Sequence, residues 1–245
     1  MNAAPPPGDG DRRKEDIFER RAGDYDQIIA ETVRGTGFAP DHFHAYKVET
    51  MRRWLDRRGI APEPAVLLNY GCGTGASEPW LRRHFPGAAI RSCDPSPKSL
   101  AAAAERNRDL EEVAFAPMAG GAIPFPGPFG LAFTANVFHH IPRAEHPAAL
   151  AAIRERLAPG GHFFLFEHNP WNPVTRRAVN RCPLDEEAVL LSPRYSRRAL
   201  RQAGFRGVAT RFTLFFPGWL RPLLPLERLL APLPLGAQYF CVGRR

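Results

Sequence analysis

Val66-Leu67-Leu68-Asn69-Tyr70-Gly71-Cys72-Gly73-Thr74-Gly75 is the stretch that decides the fold. A short apolar run ends abruptly in a glycine-rich turn, and Ala76-Ser77-Glu78-Pro79-Trp80-Leu81 after it reads as a helix start. Strand, tight glycine loop and helix together build a nucleotide-type cofactor site at the carboxyl end of a parallel strand. Glycine is required where backbone must approach a ligand closely at positive φ. Gly71-x-Gly73-x-x-Ala76 satisfies the dinucleotide fingerprint, whose third position tolerates alanine, so the loop alone leaves a nicotinamide enzyme open. Asp94 follows at the end of the next strand, 19 residues after Gly75. A carboxylate there accepts hydrogen bonds from the ribose hydroxyls of a nucleotide-type cofactor; capping a helix is its other reading.

Outward from this loop, apolar strands alternate with helical segments. Strands are expected at 65–70, 89–93, 113–116, 129–135, 162–166, 208–216 and 238–242, and helices at 76–84, 99–108, 144–157 and 194–203. This alternation predicts an α/β fold with an open, mostly parallel sheet covered on both faces. Upstream, 12–34 reads as one helix, and Asp41 as the N-cap of a second running to Arg58. The organisation expected is a disordered tail over 1–11, a helical N-terminal cap over 12–59 and the main domain over 60–245. A lid over 168–193 and a connector over 217–236 belong to that domain.

The charge of +8 and pI near 9.8 come mainly from arginine and read as a solvated surface. No aromatic-basic RNA signature accompanies them, which argues against a nucleic-acid partner. Cys72, Cys93, Cys182 and Cys241 form no CxxC and match no zinc spacing, so buried thiols in a reducing cytoplasm are expected. The apolar stretch 214–235 carries Arg221, Glu227, Arg228 and several prolines, and so is no membrane span. It reads either as an amphipathic surface touching a membrane or lipid-linked acceptor, or as a connector buried against the sheet; its prolines favour the connector.

In order and spacing, residues 62–168 resemble the class I S-adenosylmethionine-dependent methyltransferases, in their ubiquinone-biosynthesis-like branch. Leu68 to Gly75 is similar to the GxGxG first motif. Ile123-Pro124-Phe125 and the run from Phe129 to Pro142 resemble the fourth strand and its loop, and Leu157-Ala158-Pro159-Gly160-Gly161 the turn into the fifth strand. The resemblance implies a Rossmann-like, seven-stranded sheet with an antiparallel carboxyl-terminal strand, and S-adenosylmethionine as cofactor. It implies that Gly71, Cys72, Gly73 and Gly75 pass beneath the cofactor, that Asp94 holds the ribose, that Pro95 packs near adenine and that Asn136 sits by the methionine moiety. Two positions depart from the family: Asn69 replaces a frequent acid, and Ala119 an aspartate at the adenine edge, leaving backbone around Met118 and Ala119.

Methyl transfer from a sulfonium needs mainly in-line positioning, and a hydroxyl acceptor also needs a proton acceptor. His139 and His140 after the fourth strand, and Glu167 and His168 after the fifth, are the candidate bases. No metal is expected, since no ordered two-histidine spacing appears on one helix. Tyr25, Tyr46, Lys47 and Trp171 are candidate walls of the acceptor pocket. The expected activity is O-methylation of a small molecule or of a glycan- or lipid-linked intermediate, with N- and C-methylation, a nicotinamide oxidoreductase and a cofactor-binding inactive partner subunit as alternatives.

Overall fold

The computed structural model describes residues 17–60 and 65–245. The expected 1–11 tail and the start of the 12–34 helix lie outside the described residues. Seven strands form one sheet: β1 Val66–Tyr70, β2 Ala89–Asp94, β3 Val113–Pro117, β4 Phe129–Ala135, β5 Leu157–His168, β6 Arg206–Thr213 and β7 Gln238–Arg244. Their order is β3-β2-β1-β4-β5-β7-β6, and β7 runs antiparallel to both its neighbours while the other pairings are parallel.

Period-two alternation explains why the central strands are apolar on both faces. Leu68 and Tyr70 of β1 point into one layer with Phe163 and Leu165 of β5 and Tyr239 of β7. Leu67, Phe164, Phe166 and Phe240 point into the other, where Val48, Met51 and Leu55 cover them. Truncating a fully buried ring such as Phe164 to alanine would cost about 3–5 kcal/mol. After β1 the chain moves to β2 and β3, then returns to β4 and β5 on the other side of β1. The carboxyl ends of β1 and β4 therefore flank a topological switch point, where an open α/β sheet leaves its crevice.

The amino-terminal helices depart from the sequence reading. Residues 17–21 are helical, 22–24 turn with the Asp24 amide on the Arg21 carbonyl (3.0 Å), and α1 spans Tyr25–Val33. The long 12–34 helix is thus broken at Gly23-Asp24. The second helix, α2 Pro40–Asp56, is capped by Ala39 rather than Asp41. Proline suits the first helical position because its fixed φ fits and its missing N–H would be unbonded there anyway. Strand β6 stops at Thr213, before the expected 216, because Leu214 takes φ +60°.

Between β6 and β7 the connector forms a 3-10 turn, Gly218–Leu226, and the short α-helix Glu227–Leu230. Its expected burial against the sheet does not hold: Trp219, Leu226, Leu229, Leu233 and Leu235 are exposed. Among the described residues no helix is long and apolar enough to cross a membrane.

Candidate active site

Each loop glycine has a separate reason to be glycine. Gly71 sits at φ +77°, and a Cβ there would lie 2.5 Å from Val137 Cγ2. Gly75 sits at φ +72°, and its Cβ would meet Ala103 Cβ at 2.8 Å. Gly73 lines the cavity, and a Cβ on it would meet nothing within 4 Å, so the backbone there lies open to a ligand. The Cys93 carbonyl at the end of β2 accepts the amides of Gly71 (2.8 Å) and Cys72 (3.0 Å), which fixes the loop to the sheet.

Asp94 is buried at the end of β2, and its carboxylate accepts the amides of Gly73 (2.8 Å) and Ser96 (3.0 Å). Burial raises its pKa, and these two donors counter the rise. Its helix-capping alternative falls, because Ser96 caps the helix Pro97–Arg106 through the Ser99 amide (3.1 Å). Asn69 is buried at the rim of the cavity and donates through Nδ2 to Glu78 Oε1 (2.7 Å), which also accepts from Ser92 (2.7 Å). The acidic group absent at position 69 thus stands one hydrogen bond away, on a fully buried Glu78 whose pKa burial raises. Nothing in the sequence distinguished Glu78 from an ordinary acid in a first helical turn. Met118, Pro95, Gly120 and Gly121 line the cavity, whereas Ala119 is exposed and outside the lining.

The cavity holds about 620 Å³ and opens at the carboxyl ends of β1, β2, β4 and β5. Segments from both ends of the chain cover it. Tyr25 and Ile29 of α1 pack with Cys182 and Leu184, and all four line the cavity. Glu19 ties this cover to the helix Pro97–Arg106, accepting Ser96 Oγ (2.7 Å) and the Lys98 amide (3.1 Å). Lys47 of α2 lines the cavity, and burial lowers its pKa to about 8, against the pull of Glu167.

The four candidate bases divide into two pairs. His140 and His168 line the cavity; His139 and Glu167 are buried outside its lining. His139 Nδ1 meets Glu167 Oε2 at 2.5 Å, and His139 Nε2 meets Asp185 Oδ1 at 3.3 Å. Burial opposes protonation of His139, but the Glu167 charge and the hydrogen bonds that the ring donates to both carboxylates outweigh it and raise the pKa to about 10. Glu167 is correspondingly lowered: burial is overcome by the charge of His139. His140 Nε2 also reaches Asp185 Oδ1, at 3.3 Å. His140 and His168 are both lowered, His168 to about 4, by burial first and then by the charge on His139. Asp185, absent from the sequence-derived set, is therefore the group that joins the cluster. It lies in the 3-10 turn Pro183–Asp185, and the Val189 amide on the His139 carbonyl (2.9 Å) pins this segment in place.

Two buried acceptors on the lining lack partners, Asn136 Oδ1 and Gln238 Oε1. Asn136 takes φ +58° just beyond β4, with its amide on the Phe166 carbonyl (2.9 Å). Gln238 opens β7 opposite His168, a position that sequence reasoning did not single out. Of the expected walls, Tyr25 and Lys47 line the cavity; Tyr46 and Trp171 do not. The Tyr46 hydroxyl instead donates to Glu227 of the connector. Trp171 stands half-exposed against Phe212, with the Arg194 guanidinium over its ring, and the wall from that segment is Val174, Thr175 and Ala178.

Residues 67–161 match the family profile described as "Methyltransferase domain". A trans-aconitate 2-methyltransferase of Deinococcus radiodurans is 31% identical over 124 residues, covering 50% of this chain and 46% of that protein. One of Mycobacterium tuberculosis is 30% identical over 153 residues, covering 56% and 55%. The chain thus spans about half the length of the curated relatives it matches. The crystal structure of the magnesium protoporphyrin IX methyltransferase of Synechocystis PCC 6803 superposes with a TM-score of 0.62 over 100% of both chains at 17% identity, a likeness of fold. With β7 antiparallel inside an otherwise parallel seven-stranded sheet and the profile match beginning within β1, the glycine loop reads as methyltransferase rather than nicotinamide-binding, and residues 67–161 carry a class I S-adenosylmethionine-dependent methyltransferase domain.

Proposed function

We propose that the protein O-methylates a largely apolar acceptor that carries a hydroxyl group, a small molecule or a glycan- or lipid-linked intermediate. The observation that carries this reading is the cavity-lining His140 paired with Asp185, in the same cavity as Gly73 and Asp94. The residues fit S-adenosylmethionine: an open glycine backbone, a buried carboxylate for a ribose diol, and the orphan Asn136 Oδ1, which suits an ammonium donor. When bound, this cofactor supplies an electrophilic methyl group on a good leaving group.

The chain's own residues supply the rest. Asp94 and the loop orient the cofactor, and the covering segments exclude water. His140 donates Nε2–H to Asp185, which leaves the Nδ1 lone pair to take the acceptor's hydroxyl proton. Asp185 then stabilises the resulting imidazolium. Burial first, and then the charge on His139 between Glu167 and Asp185, keep His140 and His168 neutral at rest. The ligand atoms of His139, His140 and Asp185 lie within 4.8 Å of one another, and here they act as a proton relay rather than as metal ligands. Gln238 Oε1 is positioned on the lining to accept a hydrogen bond from the acceptor.

The relatives' printed acceptor, trans-aconitate, carries three carboxylates. Among the described residues Lys47 is the only lysine or arginine on this cavity's lining, which favours an acceptor with at most one anionic group. Turnover of methyl-labelled S-adenosylmethionine against an acceptor panel, with the methylated atom located by NMR, tests the reading. Methyl on oxygen supports it; methyl on nitrogen or carbon, or no turnover with any acceptor class, refutes it.

A further inference from the structure

Apart from Val189, every exposed large hydrophobic side chain among the described residues falls in two short segments, 171–174 and 219–235. The segments are one surface. Asn172 Nδ2 donates to the Leu235 carbonyl (2.8 Å), and Asn169 Nδ2 to the carbonyls of Gly236 (2.8 Å) and Pro234 (3.1 Å).

The connector is oriented the wrong way round for a water-facing helix. Its one acid, Glu227, is buried and accepts the amides of Phe215 (2.7 Å) and Phe216 (3.2 Å) and the Tyr46 hydroxyl. Trp219, Leu226, Leu229, Leu233 and Leu235 face out, Trp219 being 74% and Leu229 70% exposed, while Leu220, Leu223, Leu224 and Leu230 are half-buried. A segment held by a buried carboxylate is not exposed through looseness; the anchor fixes its apolar side outward. Gly218 is packed so tightly on Gly37 that a Cβ would clash with the Gly37 carbonyl, which fixes Trp219 beside it.

Within 169–181 and 215–245 the exposed charge has one sign. Arg176, Arg177, Arg181, Arg221 and Arg228 are exposed, and Glu227 is the only acid in 169–181 or 215–245. A two-fold contact with a second copy would set this basic patch against itself. Tryptophan and leucine with flanking arginines suit a bilayer interface, and each arginine adds attraction to anionic headgroups. The cavity wall reaches this surface at Val174, which lines the cavity and is 73% exposed.

We propose that this patch docks the protein on an anionic lipid surface, with the cavity mouth turned to the lipid. Docking stands on the surface alone; that the acceptor enters from the membrane rests on the O-methylation reading above.

The test is co-sedimentation of the full chain with vesicles of phosphatidylcholine alone, or mixed in equal parts with phosphatidylglycerol. The expected result is at least about tenfold stronger partition into the anionic vesicles, weakened by high salt. Trp219→Ser with Leu229→Ser, and separately Arg176→Glu with Arg177→Glu and Arg181→Glu, should each reduce partition at least tenfold. Both variants should retain wild-type affinity for S-adenosylhomocysteine by calorimetry, which separates a lost surface from a lost fold or a failed cofactor reading. Protein left in the supernatant with both vesicles, equal partition into both, or partition unchanged in both variants overturns the proposal. So does a vesicle-independent dimer that the Trp219→Ser, Leu229→Ser variant abolishes.

Discussion

His139 Nδ1 lies 2.5 Å from Glu167 Oε2, with both side chains fully buried. A buried carboxylate is tolerated when a cation sits on it, and breaking such a pair from one side costs about 3–5 kcal/mol. Glu167→Gln, which keeps the shape and removes the charge, should destabilise the protein by about 3 kcal/mol in chemical denaturation. His139→Gln should cost a similar amount, and the double variant much less than the sum of the two. Additive losses would mean that the two groups are not coupled.

His140 and His139 are adjacent in sequence and differ in role. His140→Ala should lower kcat by about 10²–10⁴-fold and leave S-adenosylhomocysteine affinity unchanged. Asp185→Asn should lower kcat in the same direction and shift the pH–rate profile, since the imidazolium formed on His140 loses its counter-charge. Steady-state kinetics with the acceptor identified by the panel check both. Unchanged kcat in His140→Ala would overturn its role as the base, and unchanged kcat in His168→Ala and His139→Ala as well would leave proximity as the whole of catalysis.

Acid should weaken the fold through histidines kept neutral. His168 is lowered to about 4, and His44, hydrogen-bonded to Ser77 Oγ (2.9 Å), to about 3. Below the ordinary value of 6.5 the unfolded chain takes up protons that the folded chain refuses. Each group therefore subtracts stability as pH falls from about 6.5 towards 4 for His168 and 3 for His44. His168→Gln removes one such term, so the stability of this variant relative to wild type should rise steadily across pH 6.5 to 4 in paired thermal melts. A difference independent of pH would contradict the assignment.

The loop carries its own test. Gly71→Ala places Cβ 2.5 Å from Val137 Cγ2 at φ +77°, so strain and overlap together should cost about 2–4 kcal/mol. Adding Val137→Ala relieves the overlap and should restore part of the loss, while the strain of positive φ remains. Full recovery, or none, in urea melts would show that only one of the two terms acts.

The sheet was legible because its strands are apolar on both faces and end in turns that need glycine or asparagine. Gly71, Gly75 and Asn136 all take the positive φ that their residue types suggest. The break at Gly23-Asp24 lay in plain view, but the apolar face of Ile17, Tyr25 and Ile28 continues across it and masks it. Asp185 was not legible, because a short turn in a segment without periodicity meets His139 and His140 through tertiary packing alone. Tyr46 looked like a pocket residue for the same reason in reverse: its partner, Glu227, stands at the far end of the chain. The outward-facing connector was misjudged because prolines argue against a continuous helix and say nothing of which side faces water.

Asp94 accepts the Gly73 amide at 2.8 Å, so the strand-end acid and the glycine loop form one unit, and the cofactor reading stands on that unit. Calorimetric titration of wild type and Asp94→Ala with S-adenosylhomocysteine tests it most directly. Single-site binding by wild type, weakened at least about tenfold in the variant as a charged hydrogen bond is lost, is the predicted result. No heat at millimolar ligand, or equal affinity in both proteins, would contradict it.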